Sequence, residues 1–271
     1  MTTIMRDAVS PDLRTTLRAL KLGQMLETLP DRLTLARQQK MTHADFLELV
    51  LADEVTRREA KSASLRARAA GLDPGMRLDT WDPSAAVRYD RQLWNELTSL
   101  RFLDGPHGAV ILGPVGVGKT HMASALGHIA IRRRRAVHMA AAAKLFKRLK
   151  AARLDNTLDY EMRRLATVEL LILDDFALQP LDAAETADFY QLCVERHQRA
   201  STAVTSNRTP EEWLPMMADP LLAQSAVDRL ASTAHELIIE GESYRRRQKP
   251  AISPAPGESI DDEKGNHHDH S

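Results

Sequence analysis

Apolar residues in the first part of the chain recur at helical spacing. Leu13, Leu17, Leu20, Leu22, Met25, Leu26 and Leu29 predict one or two amphipathic helices, which Pro30 should end. Thr42-His43-Ala44-Asp45 has the form of a capping box. It opens a long helix whose Phe46, Leu47, Val50, Leu51 and Val55 share a face. That helix turns basic and stops at Gly71-Leu72-Asp73-Pro74-Gly75, a candidate domain boundary.

Beyond residue 76 the pattern changes. Short strand candidates at 109–112, 136–140, 169–173, 202–206 and 237–240 alternate with helical segments. Such alternation predicts an α/β fold, a parallel sheet with helices on both faces. Three units follow: a small all-helical N-terminal domain over 1–75 for DNA or partner binding, an α/β domain over 76–248, and a tail over 249–271. The tail is rich in Pro, Gly, Ser and charge and is expected to be disordered. Its His267, His268 and His270 are read as solvated rather than metal-binding.

Composition narrows the class only a little. The chain has 271 residues, 43% hydrophobic and 27% charged, ordinary for a globular protein. One cysteine, Cys193, excludes an intrachain disulfide and fits a reducing cytoplasm. It is expected inside a helix core. No apolar run approaches the ~18–20 residues of a membrane span, and the start of the chain, with Arg6 and Asp7, is not expected to be a signal peptide. The formal net charge is +0, yet it is unevenly spread. From Arg132 to Arg153 every charged residue is basic, and Arg57–Arg68 is basic but for Glu59. Such blocks point to a polyanion or to solvated helix faces.

The chemistry is concentrated in Gly113-Pro114-Val115-Gly116-Val117-Gly118-Lys119-Thr120, which fits G-x-x-x-x-G-K-[ST]. Glycines let backbone N–H groups turn inward around phosphates, where side chains would intrude. Lys119 is expected to reach the terminal phosphates and Thr120 to bind Mg²⁺. A strand before the loop and a helix over 121–131 after it complete the setting, with His121 closing the motif. The chain should bind ATP.

A second aliphatic run ends in Asp174 and Asp175. Parallel strands deliver such carboxylates to the sheet edge that holds the phosphate loop. Asp174 is then expected to hold Mg²⁺ and Asp175 to orient the attacking water. Thr202-Ala203-Val204-Thr205-Ser206-Asn207 is another strand with a polar end, and Asn207 suits the γ-phosphate or the water. Taken alone, Asn207 reads equally as a turn residue.

Phosphate loop, acidic strand end and Asn-tipped strand together resemble the AAA+ ATPases. Gly-Pro-x-Gly-x-Gly-Lys-Thr-His, Leu-Asp-Asp-Phe, Thr-Ser-Asn-Arg with Glu212-Trp213, Asp228-Arg229-Leu230 and Gly241-Glu242-Ser243-Tyr244-Arg245 occur in this order. The set resembles the IstB-type helper ATPases of insertion sequences, relatives of the DnaC helicase loaders, along nearly the whole chain. The resemblance implies an AAA+ core behind the helical N-terminal domain. It implies that Arg229 is a finger pointed at a neighbouring subunit's γ-phosphate, and that Arg245 is a second sensor acting in cis. Asp175, where many AAA+ proteins carry Glu, implies slow turnover. The resemblance also implies DNA contacts in the helix carrying Lys144, Lys147, Arg148, Lys150 and Arg153, whose spacing puts several on one face.

The function expected is an ATP-dependent, DNA-binding ATPase that forms a homo-oligomer on double-stranded DNA and recruits a transposase. An aromatic content of 4% leaves few stacking platforms for single strands. The alternative is a DnaC-like loader whose partner is a replicative helicase. A small-molecule kinase, which needs no oligomer, and an ATP-gated DNA-binding switch with negligible hydrolysis are the readings from other classes.

Overall fold

In the computed structural model, residues 9–82, 87–105 and 107–244 are described. Arg245 and the 249–271 tail lie outside them. The N-terminal region consists of α1 (Pro11–Ala19), a 3₁₀ turn at Gly23–Glu27, α2 (Leu29–Gln38) and the long α3 (His43–Ala69). Ser10 caps α1 through the backbone N–H of Leu13. The capping box of α3 is present, with Thr42 and Asp45 each accepting the other's backbone N–H. Pro30 does not end a helix; it stands in the first turn of α2. The first helical N–H groups have no partner within the helix, so a proline without one costs nothing there.

The face expected on α3 is only half used. Val50 is buried and Phe46 packs beside it, against Leu17, Met25 and Leu29. Leu47, Leu51 and Val55 are exposed, because α2 and the 3₁₀ turn cover one flank of the helix. Farther along, α3 leaves this cluster and enters the main core. Ala67, Ala70 and Leu72 pack with the sheet, and the backbone N–H of Met139 donates to Ala70 O at 2.7 Å. Within 71–75 only Leu72 is buried against the α/β core, while Gly71, Asp73, Pro74 and Gly75 stay exposed.

That core is built on β2 (Gly108–Leu112), β3 (Val137–Ala141), β4 (Leu170–Asp174), β5 (Ser201–Ser206) and β6 (Ala234–Ile238). A short ribbon pairs β1 (Val87–Arg88) with β7 (Glu240–Gly241). The five strands run parallel in the order β3-β4-β5-β2-β6. Their helices are α4 (Arg91–Ser99), α5 (Lys119–Arg132), α6 (Ala142–Leu154), α7 (Leu158–Thr167), α8 (Ala183–Arg196), α9 (Pro210–Trp213) and α10 (Pro220–Ala231). Alternate residues of each strand feed two cores. Val110, Leu112, Leu171, Leu173 and Val204 meet α6, α7, α8 and α10, while Ala109, Ile111, Leu170, Ile172 and Ala203 meet α4, α5 and the end of α3.

The last strand differs from expectation. It begins at Ala234 on the edge of the sheet, where His235 is half-buried and Glu236 exposed, so polarity hides its first half. Glu240 and Gly241 then form the ribbon with β1, which no hydrophobic run announces. Cys193 is buried in α8 as expected, and burial pushes its thiol up to about 12.

Arg196, at the end of α8, is a buried tie that its sequence does not announce. It is 2% exposed and donates to the carbonyls of Leu165 (2.6 Å), Val168 (2.9 Å) and Ser201, and to Thr202 Oγ1 (2.9 Å). One guanidinium thus joins the turn before β4 to the start of β5. Burial lowers its pKa to about 10, which leaves it charged at neutral pH. Arg196→Leu strands these acceptors, so chemical denaturation should show a loss of about 3 kcal/mol. Arg196→Lys should recover part of it.

Candidate nucleotide site

The phosphate loop links the end of β2 to the start of α5. Leu112 is the last residue of β2, Gly118 caps α5, and Lys119 opens it. Gly116 and Gly118 have φ of +88° and +99°, a region side chains avoid. Space forbids a side chain as well: a Cβ on Gly116 meets Ser243 Oγ at 2.1 Å, and one on Gly118 meets the Trp81 ring at 2.7 Å. The loop is glycine-rich because the backbone turns tightly and because two other segments press on it.

Lys119 is buried, and its Nζ donates to the carbonyls of Gly113 (2.8 Å) and Pro114 (2.9 Å). Its charge is held at the mouth of the loop, beside the α5 N-terminus, where the helix dipole adds to it. The loop opens on a cavity of about 350 Å³. Gly116 to His121 form its floor, Asp175 and Asn207 its acidic and amide side, and Met76, Thr80, Trp81 and Val87 its far wall. Tyr244 lines it too, and the Tyr244 backbone N–H donates to Gly116 O at 2.9 Å. The motif that ends in Arg245 therefore arrives at the phosphate loop.

Parallel pairing brings the acids here. Asp174 ends β4 and is 8% exposed. Burial raises its carboxyl above the usual carboxylate range, while the Thr205 and Thr120 hydroxyls pull it back. The oxygens of Thr120 and Asp174 thus converge, a hard donor set that fits Mg²⁺ completed by phosphate and water. Asp175 is exposed and turns into the cavity at φ +52°.

His121 does more than close the motif. Its Nε2 bonds Arg77 O at 2.8 Å, and its ring meets Trp81 edge-on at 5.2 Å. The wall residues Met76 and Trp81 escaped the sequence reading; an aromatic among polar residues shortly before β1 was the only local signal.

The structure keeps Arg229 away from this cavity. It lies on α10, its Nη1 donates to Ser225 O at 2.8 Å, and its guanidinium is 5.9 Å from the Tyr190 ring centroid. The groove it borders is lined by Gly108, Thr202 and Thr233, at the starts of β2, β5 and β6. Arg229 thus stands at the amino edge of the sheet, opposite the phosphate loop.

The basic helix α6 divides as well. Arg148 pairs with Glu161 (2.9 Å), Lys150 with Asp182 (2.9 Å) and Arg153 with Asp188 (2.5 Å). These three tie α6 to α7 and α8. Lys144 and Lys147 are exposed and make no ion pair among the described residues. Arg134 and Arg135 pair with Glu59, Asp104 and Glu169. Arg57 and Arg58 clamp Glu54 and hold its carboxylate down at about 2.

Comparison with known proteins gives the family. The IstB-like ATP binding protein model matches residues 15–251. The chain belongs to this family. It is 35% identical over 241 residues to an insertion-sequence ATP-binding protein of Mycobacterium tuberculosis, covering 89% of this chain and 96% of that protein. It is 31% identical over 238 residues to the IS21 ATP-binding protein of Pseudomonas aeruginosa, covering 88% and 90%. Among solved structures it resembles the DnaC helicase loader, at 21% identity and TM-score 0.51, over 61% of this chain and 97% of that one. Fold and family make the chain an AAA+ ATPase.

In such a site Lys119 is expected to supply charge to phosphates, since its Nζ bonds lie within the phosphate loop and not in either apolar core. Lys119→Ala should abolish ATP binding in a calorimetric titration while the melting temperature holds. Parental affinity in that variant would remove Lys119 from the phosphate site.

Proposed function

We propose that the chain is a cytoplasmic helper ATPase of transposition, which assembles on double-stranded DNA with ATP and recruits a transposase. The reading is supported by a cavity that joins the phosphate loop, Asp175 and Asn207, in a chain whose relatives, over most of their length, are insertion-sequence ATP-binding proteins. The likeness to the helicase loader is one of fold alone. Among the described residues no helix is long and apolar enough to cross a membrane.

Each residue has a distinct task in this reading. Lys119 and the α5 N-terminus hold the phosphates. Thr120 and Asp174 would hold Mg²⁺, which neutralises charge on the β- and γ-phosphates. Asp175 polarises the attacking water and Asn207 orients it toward the γ-phosphate. Arg245 would read the phosphates in cis. Arg229, on the opposite edge, reaches a phosphate only in a neighbouring copy, which makes the homo-oligomer part of the active site.

Mixing variants tests that sharing. Arg229→Ala subunits keep a sound phosphate loop, and Lys119→Ala subunits keep a sound finger. A mixture should regain part of the DNA-stimulated hydrolysis that each lacks alone. No recovery in demonstrably mixed oligomers would show that Arg229 does not act in trans.

The DNA surface is tested separately. Lys144 and Lys147 carry the unpaired charge of α6, so replacing both with Ala should weaken binding to unrelated duplexes alike. The slope of log affinity against log salt should flatten by about 0.9 for each phosphate that the protein no longer neutralises. An unchanged slope would move the DNA surface away from α6.

A further inference from the structure

One hydroxyl stands between the two acidic residues. Thr205 is fully buried in β5; its Oγ1 donates to Asp174 Oδ1 at 2.6 Å and accepts the backbone N–H of Asp175 at 2.9 Å. Its single proton and a lone pair are both engaged, so the rotor has one orientation. Asp175 follows at φ +52° and Ala177 at +54°, left-handed positions that a residue with a Cβ enters at a cost. The turn needs outside support to persist.

Neighbouring bonds supply part of that support. The backbone N–H of Phe176 donates to Thr205 O at 2.8 Å, Ser206 Oγ donates to Phe176 O at 2.8 Å, and Trp213 Nε1 donates to Ser206 Oγ at 3.0 Å. Two consecutive hydroxyls have different tasks. Ser206 fastens the loop backbone, whereas Thr205 touches a carboxylate and the N–H beside it.

We propose that Thr205 is a positioning residue for the nucleotide site: it fixes the rotation of the Asp174 carboxylate and the direction in which Asp175 leaves the strand. The proposal rests on the assignment of Asp174 to Mg²⁺ made above. It gives β5 two roles, one through Asn207 at its tip and one through the hydroxyl two residues earlier. The bond holds Asp174 Oδ1 from the strand side, so the carboxylate keeps one orientation toward the Thr120 hydroxyl.

The test compares ATP binding by the full chain, titrated calorimetrically in EDTA and in Mg²⁺. Thr205→Val has the same shape and lacks both bonds. It should bind ATP in EDTA like the parent and lose about tenfold of the enhancement due to Mg²⁺, the scale of one hydrogen bond to a charged group. Thr205→Ser should restore the enhancement. Ser206→Ala, which loosens the same loop without touching Asp174, should melt lower yet keep the enhancement. Should Thr205→Val not fold, Thr205→Ala carries the same expectation, since it leaves room for a water.

Parental enhancement in the valine or alanine variant would overturn the proposal alone. An equal loss in Ser206→Ala would also overturn it, by showing loop loosening instead of positioning. A parent whose ATP affinity ignores Mg²⁺ would overturn the assignment of Asp174, and the proposal with it.

Discussion

Parallel pairing of β4, β5 and β2 is the constraint on which the site depends. Leu112 on β2 lies opposite Ser206 on β5, and Leu173 on β4 lies opposite Val204. Three chain segments therefore leave the sheet side by side: the phosphate loop, the acidic turn and Asn207. The register cannot slip, because each strand feeds two apolar cores and a shift of one residue would exchange its faces. Placement of the chemistry is thus a consequence of burying Leu171, Leu173, Val110 and Val204 on one side and Leu170, Ile172 and Ile111 on the other.

Charge is used in a different way from what its distribution along the chain suggests. The runs of Lys and Arg look like a polyanion surface, but much of their charge is neutralised within the molecule. Arg148 and Arg153 meet Glu161 and Asp188, carboxylates only 12% and 4% exposed. A buried acid needs such a partner, since leaving it alone costs several kcal/mol. Pairs between exposed side chains, such as Arg134 with Glu59, contribute little each. Lys144 and Lys147 stand apart because they lack a carboxylate within reach among the described residues.

The helical region and the nucleotide cavity are joined by more than peptide bonds. Leu72 packs against Gly127 and Ile172, His128 Nε2 bonds Asp73 O at 2.8 Å, and Trp81 covers Gly118. Residues between the end of α3 and β1 serve both as its termination and as the wall opposite the phosphate loop. α3 is thereby fixed to α5, the helix whose N-terminus carries Lys119.

What the sequence determined by itself is whatever depends on close neighbours along the chain. The phosphate loop was legible because glycine spacing and Lys119 are local requirements of phosphate binding, and the interior strands because burial on both faces demands continuous aliphatic runs. The capping box of α3 was legible for the same reason. Pro30 was misjudged, since a proline suits the first turn of a helix as well as the end of one, and only packing decides. Tertiary structure alone decided the rest. Thr205 and Asp174 are separated by 31 positions, and Arg196 and Leu165 by 31. Nothing local marks such partners, because a hydroxyl or a guanidinium acquires its role from the strand or carbonyl that folding puts beside it. The first half of edge strand β6 and the wall at Trp81 were hidden likewise, their residues being half-exposed and free of the periodicity that burial imposes.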